Sequence, residues 1–167
     1  RLDALAAQLN ELKNKNGKYN PGEDIVEVAQ SINDETASSY FVELANKLVS
    51  AEASLTTASS NNLRAAYNAV PTTYLENPQY ASLVEEIELR MEIVKQISSK
   101  FGSFTGTAAR SVFANTLRSI DTFEKNRTLQ NYNAAKSAIE LAAQRPNVVE
   151  IIDLLTKRLN RVEIESN

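Results

Sequence analysis

The chain has 167 residues, 43% of them apolar and 7% aromatic, enough for a real but slender core in one elongated domain or two small ones. It contains no Cys and no His, which excludes disulfides, thiol and imidazole catalysis and Cys- or His-based zinc sites, and no cofactor or metal is expected. A net charge of −3 argues against nucleic acid as a partner, and no apolar run is long enough to insert in a membrane.

Apolar residues recur at helical rather than strand spacing throughout, so the expected fold class is all-α. The chain opens "RLDALAAQL" without an initiator Met, which suggests a processed chain or a piece of a longer one. Leu2, Leu5, Leu9 and Leu12 mark a first helix over 1–15. "NGKYNPG", with Gly17, Pro21 and Gly22, ends it, and a short helix over 23–32 follows. Asn33 or Asp34 is the expected N-cap of a helix over 34–57, whose stripe runs through Tyr40, Phe41, Leu44, Leu48 and Leu55. Ser59, Ser60 or Asn61 starts a helix over 61–70. After Pro71, Asn77 precedes Pro78 as an N-cap precedes a proline in the first turn, predicting a helix over 78–100. "KFGSFTG", with Gly102 and Gly106, separates this from a helix over 107–124. Helices over 128–144 and, after Pro146 with Asn147 as its start, 147–163 complete the chain.

Two of these segments repeat. A shift of 68 residues places Pro78 on Pro146, Leu83 on Ile151, Ile87 on Leu155, Arg90 on Arg158 and Met91 on Leu159. A shift of 69 matches the preceding short helices, with Ala65, Ala66 and Ala69 over Ala134, Ala135 and Ala138, and these small residues are expected to let the partners approach closely. A fainter copy sets Tyr40, Phe41, Leu44, Lys47 and Leu48 under Leu83, Val84, Ile87, Arg90 and Met91. A short helix followed by a long one cannot bury its apolar seam alone, so a third helix must complete each layer. Helix 1–15 is expected to complete the first unit and helix 107–124 the last. The expected architecture is a rod of serial three-helix bundles, with units at 1–60, 61–100 and 101–167 that share long helices. The competing architecture is one compact up-and-down bundle.

The pattern of "YNAV" or "KSAI", a proline loop, then "LVEEIELRM" or "IIDLLTKRL" resembles the helical-bundle repeat modules of Gram-positive cell-surface and S-layer-type proteins. The resemblance implies a non-catalytic spacer, a self-assembly element, or a binder of a protein or an anionic cell-wall polymer. The implied location is extracellular, on the cell surface, which suits a chain without cysteine. An intracellular helical adaptor or regulator is the alternative.

Charge is unevenly spread, with five basic and nine acidic residues over 1–60 against ten and five over 100–162. Arg110, Arg118 and Lys125 fall on one face of helix 107–124, with Arg127 at its exit, and these four are the candidate polymer-binding residues. The plainer reading is a solvated face paired to Asp121 and Glu124. Tyr19, Tyr74, Tyr80 and Phe104 lie in or beside loops and are the candidate exposed contacts, although Phe101 and Phe104 also suit a plug for the bundle ends. Tyr40, Phe41, Phe113 and Phe123 belong to core stripes. Glu85, Glu86 and Glu88 do not share one face and make no metal or acid–base motif. "NRT" at Asn126 matches a glycosylation acceptor triplet.

Overall fold

The computed structural model describes residues 2–165, the side chains of Leu12 and Lys13 excepted, and every regular element within them is helical. In chain order these are α1 (Leu2–Lys15), α2 (Ile25–Gln30), α3 (Glu35–Ser54), α4 (Thr57–Ala69), the single turn α5 (Thr72–Leu75), α6 (Ala81–Phe101), α7 (Thr107–Lys125), α8 (Leu129–Ala142) and α9 (Val149–Asn160). Short 3-10 turns lead into α6 at Pro78–Tyr80 and into α7 at Phe104–Gly106.

Several boundaries are written in the caps. The Asp34 carboxylate accepts the N–H of Ala37 at 3.0 Å to begin α3, and Asn77 accepts from Gln79 at 2.9 Å beside Pro78. The start expected at Ser59–Asn61 is corrected to Thr56, which forms a reciprocal capping box with Ser59. Asn147 does not cap the last helix. It takes a left-handed φ of 62°, which Asn tolerates, and α9 begins two residues later.

The long helices form two groups. α3, α4 and α6 touch one another pairwise, as do α7, α8 and α9, and α3 and α6 face α7 and α9 across a seam. A spacing of 72 residues relates α3 to α7: Ala37 and Ala109, Phe41 and Phe113, Leu48 and Ile120 are all buried, and Thr56 and Thr128 cap the next helices alike. The same spacing matches buried Leu63 to Ala135 and Val70 to Ala142. Ala65, Ala69 and Ala134 face solvent, so the expectation that they let the partners approach closely is corrected. At the 68-residue spacing of α6 and α9, Leu83 and Ile151, Ile87 and Leu155, and Arg90 and Arg158 are buried alike. The last turn of α6 also stacks Phe101 on Phe113 of α7, at 5.7 Å between ring centroids, so this helix serves both groups.

The expectation that helix 1–15 completes the first group is corrected. Leu2, Leu5 and Leu9 of α1 are exposed, Leu2 by 82%, and the helix meets α2. Asn16 and Gly17 stop it with consecutive left-handed φ angles of 44° and 86°, and α3 supplies the larger apolar face. The Leu12 side chain lies outside the described residues. No helix among them is long and apolar enough to cross a membrane.

Candidate functional site

Six charged side chains meet in the seam. Arg90 on α6 binds Glu52 on α3 through both ends of its fork, Nε to Oε2 at 2.9 Å and Nη2 to Oε1 at 2.6 Å. Arg158 on α9 binds Glu124 on α7 in the same way, at 3.4 and 2.9 Å. These pairs occupy matching places in the two groups, 72 residues apart for the acids and 68 for the bases. Arg161, just beyond α9, joins the groups by donating to Glu86 at 2.5 Å and to Glu124 at 2.7 Å. The network therefore holds three acids and three bases, and forked geometry is what makes guanidinium groups suitable for buried pairing.

Burial and charge act on these groups in opposite senses. Burial by itself pushes the Glu86 carboxyl up, but the hydrogen bond and charge of Arg161, with Arg90 and Arg158 behind it, hold it below its ordinary range. For Arg90 the burial penalty is outweighed by the charge and hydrogen bonds of Glu52, and for Arg161 by those of Glu86 and Glu124, so both are held above the usual arginine range. One atom is left out. Arg158 is 1% exposed, and its Nη1 has no hydrogen-bond acceptor among the described residues. The nearest carboxylate oxygen is Glu52 Oε2 at 3.9 Å, already held by Arg90.

The N-terminal loop seals one side of the network. Tyr19 N–H donates to Ser82 Oγ at 2.9 Å, Arg127 Nη2 donates to the Pro21 carbonyl at 2.8 Å, and Gly22 lies so close to α7 that a Cβ there would sit 2.4 Å from the Glu124 carbonyl oxygen. A cleft of about 290 Å³ opens between the start of α2, α3 and α7. Glu52, Arg90 and Arg158, the most buried of its charged residues, line it together with the apolar Ile25, Val49, Ala53, Ala114 and Leu117 and the charged Glu23, Asp24, Arg118, Asp121 and Lys125.

The four basic candidates divide. Arg118 and Lys125 are exposed and line the cleft, the first hydrogen-bonded to Asn115 and the second paired with Asp121 at 3.0 Å. Arg110 instead donates to the carbonyls of Phe101 and Ser103, and Arg127 to those of Glu124 and Pro21, so both hold helix ends and loops in place. Glu124, read as a solvated partner of that stripe, is buried in the network.

The aromatic candidates divide as well. Tyr19 is only 6% exposed and Tyr80 only 4%, so neither is a surface contact. The Tyr19 ring closes the seam, and burial first, then Glu86, raises its hydroxyl pKa. Tyr80 lies edge-on to Phe41 at 5.5 Å, with Gly17 fitted against it. Tyr74 is half-buried near Tyr40, while Phe104 is 96% exposed. The plug reading holds for Phe101 and fails for Phe104. Asn126 is exposed at the end of α7.

Glu52, Arg161 and the burial of Glu86 were not singled out in the sequence. The signal was there in the Glu52 and Glu124 spacing beside that of Arg90 and Arg158. No group of three or more acidic side chains among the described residues is placed to hold a metal ion. Comparison of the chain with protein-family models, with curated proteins and with solved structures gives no match.

Proposed function

We propose that this chain is a non-catalytic structural segment, a spacer or assembly element of a larger cell-surface protein, made of repeated three-helix units in series that extend the parent chain as a rod. One observation carries the reading: two three-helix groups, each with its own buried forked Arg–Glu pair, meet at a seam bridged by the forked pair of Arg161 on Glu86. Such pairs add little net stability over apolar residues of the same size, but they penalise any other docking, which would leave charges buried and unpaired. A seam of that kind suits an element whose task is to hold a fixed length and direction. Placement at the cell surface rests on the resemblance to Gram-positive modules and on the cysteine-free composition.

The absence of cysteine makes the test direct. Spin labels on cysteines introduced at exposed Asn46 of α3 and Lys136 of α8 should give one narrow distance distribution by pulsed electron resonance. A broad or bimodal distribution would remove the rigid-spacer reading. Binding of an anionic wall polymer is the second reading, carried by Arg118 and Lys125 on one exposed face. Pull-down on purified cell-wall sacculi should then weaken steeply with salt and on reversing both charges.

A further inference from the structure

The cleft beside the ion network is unlike the rest of the seam, because the matching of the two groups fails there. In the first group, Arg90 Nη1 faces the carboxylate of Glu86 one turn earlier, at 3.5 Å. The residue one turn before Arg158 is Leu154, so the second group lacks the corresponding acid. Arg158 Nη1 is thus without both a hydrogen-bond acceptor and the nearby acid that Arg90 has; it lies 3.9 Å from Glu52 Oε2, and both residues line the cleft. A buried cationic donor without an acceptor is a strong and specific attractor for an oxygen anion of the right size.

The other lining residues narrow the chemistry. Four acids, Glu23, Asp24, Glu52 and Asp121, and four bases, Arg90, Arg118, Lys125 and Arg158, balance, so a multiply charged anion or cation is not favoured over a net-neutral ligand. Between the charges lie Ile25, Val49 and Leu117, and Val49 is 46% exposed, so the cleft offers an apolar surface to an alkyl group. Its volume of about 290 Å³ is small and excludes a long polymer from its interior.

We propose that this cleft binds an amino-acid-sized zwitterion, with its carboxylate on Arg158 Nη1, its ammonium near Asp24 and Asp121, and its alkyl side chain against Val49 and Leu117. The carboxylate takes the place that Glu86 fills at Arg90. The site shares Arg158 with the seam and lies beside Arg118, Asp121 and Lys125, so it is tested at its apolar wall rather than at these charges.

The test is a methyl and amide NMR titration of the whole chain with L-leucine, N-acetyl-L-leucine and L-leucinamide, which carry both charges, only the anion and only the cation. Leucine should give saturable shifts at the Val49 and Leu117 methyls within about 20 mM, and each capped analogue should bind at least about ten-fold more weakly. Ala53→Met, which adds bulk to the cleft and changes none of its charged residues, should abolish the leucine shifts while leaving the amide spectrum of α8 and α9 in place. The proposal is overturned if leucine gives no saturable shift, if N-acetyl-leucine matches leucine, or if the Ala53→Met protein with that spectrum intact still responds.

Discussion

Glu124→Gln tests the network most sharply, because it keeps the side-chain shape and removes one charge. The Glu124 side chain is 1% exposed and accepts from Arg158 at 2.9 Å and from Arg161 at 2.7 and 3.2 Å. An amide there can accept from one guanidinium but turns its own donors towards the other. Arg158, which already has one unaccepted nitrogen, loses its only close carboxylate. Removing one member of a buried pair costs about 3–5 kcal/mol, and at roughly 2–4 °C per kcal/mol for a chain of this size the melting point should fall by roughly 6–20 °C. Glu52→Gln should cost clearly less, because that side chain is 14% exposed and water can reach the Arg90 left behind. Replacing the whole pair, Glu124→Leu with Arg158→Met, should recover most of the loss, since neither buried charge then remains and Arg161 keeps Glu86. Urea unfolding of the four proteins, followed by circular dichroism, supplies the numbers. A cost for Glu124→Gln below about 1 kcal/mol, or one no larger than that of Glu52→Gln, would refute the assignment of the seam as a desolvated network.

Three other outcomes are expected. Ile87 and Leu155, both fully buried at matching positions, should each cost about 2–5 kcal/mol on substitution by Ala, and near-neutral melting of either variant would contradict the register of α6 and α9. Glu86 is held below its ordinary range in the folded chain, so its contribution is complete above the unfolded carboxyl pKa of about 4.3 and is lost as pH falls through the folded value. Acid titration should therefore destabilise the wild type more than Glu86→Gln, which has already lost that carboxylate, and parallel curves would count against it. Gly22→Ala should be severely destabilising, because φ is +96° and the added methyl meets the Glu124 carbonyl oxygen rather than a side chain that can move. Unchanged melting would mean that the loop can lift off α7.

The helices were legible because their stripes and caps are local properties. Asp34 and Asn77 announce α3 and the turn before α6 by position alone, and the hydrophobic periodicity of "LVEEIELRM" fixes which face of α6 is buried. What stayed hidden depended on contacts between distant segments. Tyr19 looks like a loop residue with an exposed ring until the loop is seen to cross the seam, 63 residues in sequence from its partner Ser82. Arg127 looked like a free cation for the same reason, being 106 residues from the carbonyl of Pro21. The apolar stripe of α1 made the opposite error: regular leucines predict a buried face, but periodicity cannot say whether a partner is present. Charge was the most misleading signal, since a residue such as Glu124 in a helix reads as solvated unless its matching partner is already known.

The mismatches between the two groups explain the seam better than the matches do. If both kept the same residues, Arg158 would have an acid at position 154 and Arg161 would be the counterpart of Ile93, an apolar residue. The seam would then hold four acids against two bases, and excess buried carboxylate would drive the groups apart. Leu154 removes one acid and Arg161 adds one base, which restores three against three. Arg161 also reaches from the end of α9 to Glu86 on α6, a bond with no reciprocal in the other direction, so the two groups dock as unlike partners. A self-complementary seam would let identical chains pair through the same face. An unlike one cannot pair two copies of the same face. Divergence at positions 154 and 161 therefore makes the two groups unlike and balances the charges of the seam, while one buried nitrogen, Arg158 Nη1, is left without an acceptor.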